Sequence, residues 1–248
     1  GCSSSNNLYT ASRSVMQAIG NEELLTDYRN TLKAFYGVLK SCDRYLRFAL
    51  LTGVTKFSKV SVFSDLNNLM DITLDNRYAA ICGITEAELY ENFTEDIVQL
   101  GEQNNMNPEE ARAMLKTMYD GYHFAANSAD IYNPFSLLNT FAKMSFGSYW
   151  FETGTPTFLV ELLKNSRYDL QRLTEEMASA DSLGGIDTMH TNPVPILYQS
   201  GYLTIKGYNR EFQVYYLGFP NKEVEEGFTR FLNFSKESRG LEKWIVEE

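Results

Sequence analysis

Cysteine, histidine and long hydrophobic runs are all scarce in this chain of 248 residues. The three cysteines, Cys2, Cys42 and Cys82, are too few for a disulfide scaffold, and no C-x-x-C pair is present to bind zinc. No apolar run approaches the roughly 18 residues that cross a membrane, and no basic segment followed by an apolar one indicates a signal peptide. These absences argue against a disulfide-rich secreted protein and favour a cytoplasmic one with reduced thiols.

Basic residues are also fewer than acidic ones. The chain has 32 acidic and 22 basic residues, so its formal net charge is -10. Because nonspecific affinity for nucleic acid comes from Lys and Arg side chains that neutralise phosphates, this balance disfavours a broad nucleic-acid-binding face. Apolar residues are plentiful: 44% of the chain is hydrophobic and 14% is aromatic, which is enough to bury a sizeable core in one or two domains.

Apolar residues recur with helical periodicity after Asn21, which is able to cap a helix, and the pattern continues to about Ser41. The next segment, Tyr45–Leu51, is a short apolar run that is rich in aromatic residues and ends just before Gly53. This composition predicts a central strand of an α/β sheet, with the preceding helix covering one face of that sheet.

Small and hydroxylated residues follow this predicted strand. Ligands of α/β sheets bind at the carboxyl ends of strands, so Thr52, Thr55 and Lys56 are the candidate residues for sensing a phosphate of a nucleotide. The alternative is a strand that leaves the core through an ordinary polar loop and binds nothing. The local sequence is compatible with both.

The later helices are predicted from capping residues and proline. Thr85 with Glu88 forms the pattern of a capping box, and Pro108 directly follows a capping asparagine. A short strand is expected earlier, at Asp71–Leu74. The predicted helices run from Thr85 to about Leu100, from Asn107 to about Tyr119, from Asn133 to about Lys143 and from Thr155 to about Lys164.

Strand and turn signals return after a segment rich in Gly and Pro. Pro195–Ser200 predicts a short helix. Tyr202–Ile205 and Phe212–Leu217 predict the two strands of a β-hairpin whose turn includes Gly207 and Asn209. A helix followed by a hairpin is the outline of a winged helix.

A last helix is predicted to begin at Asn221, whose side chain is able to cap it. Its apolar face carries Val224, Phe228 and Phe231. We expect these three side chains to contact a partner protein or a further domain.

Several segments resemble, in the same order, motifs of a bacterial AAA-ATPase-like family that often carries a PD-(D/E)xK nuclease domain at its C-terminus. They are LLTGVTKFSKVSVFSDLNNLMDITLD (residues 50–75), YDGYHF (119–124), YNPFSLL (132–138), YWFETGTPTFL (149–159), LYQSGYLTIKGY (197–208) and YYLGFPNKEV (215–224). The resemblance spans roughly residues 16–231. It implies an α/β core of the P-loop ATPase type followed by a mainly helical region with a winged-helix-like β-hairpin, and for the family it implies ATP and Mg²⁺ as cofactors.

The sequence departs from that family at the elements that handle phosphate. Hydrolysis needs the string G-x-x-x-x-G-K-[ST], whose backbone N–H groups, lysine and hydroxyl hold the phosphates and Mg²⁺, and no such string occurs. The apolar strand with terminal acidic residues that holds Mg²⁺ in the family is missing before Glu22. No lysine has Asp or Glu two positions before it, so the metal-binding element of the nuclease is missing as well.

These departures predict a truncated or degenerate AAA-ATPase-like protein that is inactive alone, holds no cofactor of its own and acts as a nucleotide-sensing or regulatory module. The first alternative is a protein–protein interaction module, with a protein partner or self-association. The second is a DNA-binding winged helix. It ranks last because Lys206 and Arg210 are the only basic residues between Leu197 and Tyr216.

The predicted organisation has four parts: an atypical or disordered leader (residues 1–20), a partial ATPase-like α/β core with the sensor loop (21–103), a helical region (104–183) and a winged-helix-like hairpin with a C-terminal helix (184–248). A lipoprotein is the alternative to a cytoplasmic location, because Gly1-Cys2-Ser3 resembles the mature start of one. Asp120 and Gly121 are interpreted as a turn that lets His123 pack and form hydrogen bonds in the helical region rather than bind a metal, and His190 is assigned no role.

Overall fold

A computed structural model describes residues 22–52, 69–154, 176–183 and 192–230. These ranges form a mixed α/β arrangement of several helices and a small sheet. Short 3-10 helices lie at Asp43–Tyr45 and Asn76–Tyr78. In chain order, the elements are α1 (Glu22–Ser41), α2 (Glu86–Asn92), α3 (Thr94–Gln103), α4 (Pro108–Tyr119), α5 (Pro134–Lys143), α6 (Tyr149–Gly154), β1 (Met177–Ser179), α7 (Ala180–Leu183), α8 (Val194–Gln199), β2 (Thr204–Asn209), β3 (Val214–Gly218) and α9 (residues 222–230).

Helix α1 begins at Glu22 and ends at Ser41, as the periodicity predicts. The strand predicted at Tyr45–Leu51 is wrong. The chain is irregular between the first 3-10 helix and residue 52, and Tyr45 and Phe48 are 71% and 80% exposed. A strand is stable only when a neighbouring strand pairs with its backbone N–H and C=O groups, and an apolar run by itself does not supply that neighbour.

The short strand predicted at Asp71–Leu74 is also wrong. Thr73 donates two hydrogen bonds to Asp71 Oδ1, from its backbone N at 3.1 Å and from its hydroxyl at 2.7 Å. An aspartate that accepts from the backbone two residues later stabilises a turn. This local interaction therefore replaces the extended conformation.

Side-chain caps determine where α2 and α4 begin. Thr85 and Glu88 make both hydrogen bonds of a capping box at the start of α2. Asn107 and Glu110 make the equivalent pair at the start of α4. The helix starts predicted from these residues are confirmed, as is the start of α5, where Asn133 accepts from two backbone N–H groups.

The first hydrophobic core lies between α2, α3, α4 and α5. The single helix expected from Thr85 to Leu100 breaks at Phe93, whose ring stacks on that of Phe141 at a centroid distance of 5.2 Å. Fully burying one Leu or Ile side chain contributes about 1.5–3 kcal/mol, so this core stabilises the four helices as a unit. Its buried side chains are Leu89, Ile97, Leu100, Ala111, Leu115, Tyr119, Tyr132, Leu137 and Phe141.

A three-stranded antiparallel sheet has the strand order β1-β3-β2. The predicted hairpin is confirmed as β2 and β3, but its turn occupies residues 210–213, so Gly207 and Asn209 lie within β2. Asn209 Oδ1 accepts hydrogen bonds from the backbone N atoms of Glu211 and Phe212 and so stabilises that turn. Strand β1, which no sequence pattern predicted, is three residues long and pairs with β3.

The second hydrophobic core packs the sheet against α8 and α9. Tyr202 lies within it and contacts the rings of Trp150, Phe151 and Phe228 at centroid distances of 5.1, 5.7 and 5.9 Å. Tyr122, Ile131 and Phe151, which precede the sheet in the sequence, belong to the same cluster. The hairpin and the residues before it therefore share one core.

Candidate functional site

The residues predicted to sense a phosphate are only partly described. Thr52 lies at the end of the irregular segment after α1, and its side chain is exposed. Thr55 and Lys56 lie outside the described residues. Since residues 46–52 are not a strand, the argument that placed these side chains at a strand end no longer applies. Their role in nucleotide sensing stays a prediction.

The partner surface predicted on the last helix is largely covered by the chain itself. Val224 and Phe228 are 0% and 1% exposed, because α9 turns its apolar face toward the second core. The Phe228 ring lies 5.5 Å from the ring of Phe219. The expectation that Val224 and Phe228 contact a partner is corrected accordingly, and Phe231 lies outside the described residues.

Four segments that carried the family resemblance meet in space although they are far apart in the sequence. We refer to them as the motif junction: residues 119–124, 131–136, 204–206 and 219–223. Tyr122 and Ile131 exchange two backbone hydrogen bonds, of 3.3 and 2.9 Å, and Asn133 N donates to Tyr119 O at 2.9 Å. The first two segments are therefore paired along their backbones, between the two cores.

Strand β2 is bound to the same loop through Thr204. The Thr204 hydroxyl accepts a hydrogen bond from His123 N at 2.7 Å and donates one to His123 O at 2.9 Å. Ile205 N donates a further bond to His123 O at 3.3 Å. One buried threonine therefore satisfies both backbone groups of His123 and fixes the loop against the start of β2.

The His123 side chain has a single acidic partner among these contacts. His123 Nδ1 lies 3.0 Å from Asp130 Oδ1. Within the described ranges, no group of three or more His, Cys, Asp or Glu side chains is arranged to hold a metal ion. His123 is placed as a packing and pairing residue whose ring lies beside Asp130, and His190 lies outside the described residues.

Lys206 connects two backbone carbonyls of the motif junction. Its Nζ donates to Pro220 O at 3.1 Å and to Gly121 O at 3.5 Å. Gly121 has a φ of +99°, and a Cβ there would lie 2.2 Å from Pro220 O, so only glycine permits this close approach. Burial lowers the pKa of Lys206, and the charges of Asp130 and Asp120 oppose that shift.

Asp120 directly follows α4 and is buried, and its Oδ1 has no hydrogen-bond partner. Burial raises the pKa of this carboxyl, a hydrogen bond from the Gly121 backbone opposes that shift, and the charge of Asp130 adds to it. Lys116 opposes it only weakly, because its Nζ lies 3.8 Å from Asp120 Oδ2 but 2.8 Å from Glu86 Oε1. The structure thus holds a desolvated carboxyl at the turn that Lys206 contacts.

Glu223, in the first turn of α9, is 0% exposed. Its Oε2 accepts a hydrogen bond from the Ser136 hydroxyl at 2.7 Å, and its Oε1 accepts one from Trp150 N at 2.8 Å. One carboxylate therefore joins the starts of α5, α6 and α9. A buried carboxylate of this kind is costly unless hydrogen bonds compensate its lost hydration, so these contacts stabilise one relative arrangement of the three helices.

Sequence reasoning missed the roles of Lys206, Asp120 and Glu223. Lys206 was interpreted as a possible DNA contact, and Asp120 only as a turn residue. The order of the motifs was visible in the sequence, but their meeting in space was not. The one available signal was the pair Asp120-Gly121, because a glycine directly after a helix marks a backbone conformation that other residues rarely adopt.

No helix in the described part of the chain is both long and apolar enough to cross a membrane.

Comparison with known proteins supports the family suggested by the motifs. A curated relative, the "Uncharacterized protein in vnfD 5'region" of Azotobacter chroococcum mcd 1, is 39% identical over 220 residues, which cover 88% of this chain and 40% of the relative. The chain thus spans about two fifths of the length of that relative. No solved structure matches the chain. Residues 12–63 match the profile of the AAA-ATPase-like family, described as a predicted AAA-ATPase, and the resemblance to this family is thereby confirmed.

Proposed function

We propose that this chain is a nucleotide-sensing or regulatory part of an AAA-ATPase-like protein and does not hydrolyse nucleotide by itself. The observation that carries the proposal is the family match at residues 12–63, which includes Thr52, Thr55 and Lys56. The sequence around it contains no string of the P-loop type, so these residues sense a nucleotide without the loop that hydrolysis needs. ATP and Mg²⁺ are the cofactors that this role implies.

The remaining described residues would transmit the state of that segment. Support comes from the motif junction, where Lys206, Thr204 and Glu223 tie the hairpin and α9 to the helices before them. The strand order β1-β3-β2, with α8 immediately before β2, supports the winged-helix-like interpretation of this region. Segments that are held together by several contacts move as one unit, so they are suited to relay a conformational change that begins in residues 12–63.

A protein–protein interaction module is the second candidate, and one observation favours it. Phe35, Tyr45 and Phe48, in and after α1, are 61%, 71% and 80% exposed. Exposed aromatic side chains grouped in one segment are typical of surfaces that contact another protein or another copy of the chain. DNA binding stays third, because the Lys206 ammonium is already engaged by two carbonyls and leaves Arg210 as the basic residue of the hairpin turn.

The proposal is tested by titrating the chain with a fluorescent ATP analogue. We expect weak binding, with a Kd of roughly 0.1–1 mM, that Lys56→Ala weakens and the matched control Lys59→Ala does not. Equal loss in both variants would indicate nonspecific charge attraction and would contradict the proposal, as would the absence of binding.

Hydrolysis is measured in the same preparation. We expect phosphate release to stay at background when Mg²⁺ and ATP are supplied. Turnover of roughly 1 per second or more that Lys56→Ala abolishes would show that the chain is an ATPase and would contradict the non-hydrolysing role.

A further inference from the structure

Aromatic and basic side chains lie together in the exposed segment after α1. The rings of Tyr45 and Phe48 are 71% and 80% exposed, and Arg44 and Arg47 are exposed as well. The Arg44 guanidinium lies over the Tyr45 ring, 4.5 Å from its centre. Tyrosine and arginine are among the residues that contribute most of the binding energy at protein interfaces. We refer to residues 44–48 as the cationic strip.

The charge of the cationic strip is opposite to that of the chain as a whole. Residues 33–47 include four basic residues and one acidic residue, although the formal net charge of the chain is -10. Pairing of two strips would bring like charges together, which opposes binding. Nucleic acid would be attracted by the strip but repelled by the rest of the chain. The charge distribution therefore favours an acidic protein surface as the partner.

The chain itself carries an acidic surface of this kind. Residues 86–110 include eight acidic residues and no basic one. On α3, Glu95, Val98 and Glu102 are exposed, and their spacing of three and four positions places them on one face of the helix. Val98 is 37% exposed. This α3 outer face combines an apolar contact with two carboxylates, and the cationic strip combines aromatic rings with two guanidinium groups.

We propose that the chain self-associates head to tail, with the cationic strip of one copy docked on the α3 outer face of a second copy. The guanidinium groups of the strip form ion pairs with Glu95 and Glu102, and its Phe48 ring covers Val98. Because the two surfaces differ, each added copy leaves one strip and one α3 outer face available, so oligomers grow or close into a ring. This inference specifies the partner of the interaction-module candidate and does not depend on nucleotide sensing.

Self-association is measured by sedimentation velocity of the full chain at about 0.15 M salt. We expect the weight-average sedimentation coefficient to rise between about 1 and 200 μM chain, with a Kd of roughly 10–100 μM. A chain that stays monomeric over this range would overturn the proposal. Binding of a labelled single-stranded oligonucleotide by such a monomer, lost in Arg47→Glu, would assign the strip to nucleic acid instead.

The contribution of the strip is measured with one charge reversal and a matched control. Arg47→Glu should weaken self-association about tenfold, because it places a carboxylate against the acidic face of the second copy. Arg210→Glu makes the same change at an exposed arginine of the hairpin turn and should alter the Kd less than about twofold. Equal weakening in both variants would show a response to net charge alone and would overturn the proposal.

A complementation experiment identifies the two surfaces that meet. The variant Arg44→Glu with Arg47→Glu and the variant Glu95→Arg with Glu102→Arg should each fail to self-associate. An equimolar mixture of the two should associate again, because each reversed surface then faces an oppositely charged one. Circular dichroism checks that both variants are folded, which their exposed positions favour. A mixture that stays monomeric would show that these surfaces do not contact each other and would overturn the proposal.

Discussion

Residues 22–52 and residues 84–154 are both mainly helical, yet they bury their apolar side chains to very different extents. Around α1, Tyr36 is buried with Leu32, Leu39 and Leu51 packed against it, whereas Phe35 is 61% exposed. In the second region, the first core buries side chains from four helices. Helical periodicity predicted a helix in each case. The difference shows that the pattern is sufficient to specify a helix but does not specify what its apolar face contacts.

The largest expected effect is a difference between these two regions in how much a truncated apolar side chain lowers the free energy of unfolding. Leu115→Ala should lower the free energy of unfolding by about 2–5 kcal/mol, because Leu115 is 0% exposed and its removal leaves a cavity. Phe35→Ala in α1 should change it by less than about 0.5 kcal/mol, since that side chain is mostly in solvent. Urea unfolding of both variants measures the difference. Similar losses would mean that the exposed face of α1 is buried in solution.

Replacing glycine by alanine should change the stability of the fold in opposite directions at two positions. Gly121→Ala should destabilise the fold by about 1–3 kcal/mol, because φ is +99° and the new Cβ would lie 2.2 Å from Pro220 O. Gly37→Ala in α1 should stabilise it by about 0.5–1 kcal/mol, since nothing lies within 4 Å of the new Cβ and alanine favours a helix. Thermal unfolding tests both. A neutral Gly121→Ala would show that the turn does not need its close contact with Pro220.

The smallest expected effect concerns pH and the buried Asp120. Burial raises the pKa of this carboxyl in the folded chain, so its contribution to stability is fully present below its unfolded pKa and is lost as pH rises through the folded pKa. Asp120→Asn should therefore gain stability relative to wild type between acidic and neutral pH. Urea unfolding at a series of pH values measures this gain.

Asp75 provides a control of opposite sign for that measurement. Hydrogen bonds from Arg77 lower the pKa of Asp75, so its contribution is present above its unfolded pKa and is lost as pH falls. Asp75→Asn should lose stability relative to wild type at neutral pH, and the difference should shrink in acid. If both variants gained stability at neutral pH, or both lost it, burial would not control the pKa of Asp120.

The sequence predicted helix starts well and long-range contacts poorly. The Asn107 side chain accepts a hydrogen bond from Glu110 N and the Glu110 carboxylate accepts one from Asn107 N, so this helix start does not need distant partners. Tyr45–Leu51, by contrast, has the composition of a strand but pairs with no strand in the part of the chain that the structure describes. The hairpin lies between these cases: its two strands were predicted, but β2 continues to Asn209, whose side chain accepts hydrogen bonds from the backbone of the turn that follows.

At the candidate site, too, the sequence predicted local features and missed long-range contacts. The motifs that indicated the AAA-ATPase-like family were readable along the chain, and the family match at residues 12–63 agrees with them. The burial of Glu223 was not readable, because its partners Ser136 and Trp150 lie 87 and 73 residues away. An acidic residue in the first turn of a helix is ordinarily a solvent-exposed complement to the helix dipole, so composition pointed away from a buried role.

What the sequence determined by itself was therefore local: the caps of α2, α4 and α5, the hairpin strands and the absence of a P-loop string. These features depend on hydrogen bonds or residue order within a few positions, which the chain carries wherever it folds. The tertiary structure alone decided that Lys206 bridges Gly121 and Pro220 and that Val224 and Phe228 face inward. Such contacts depend on which surfaces meet when two cores form, and that meeting is a property of the whole chain.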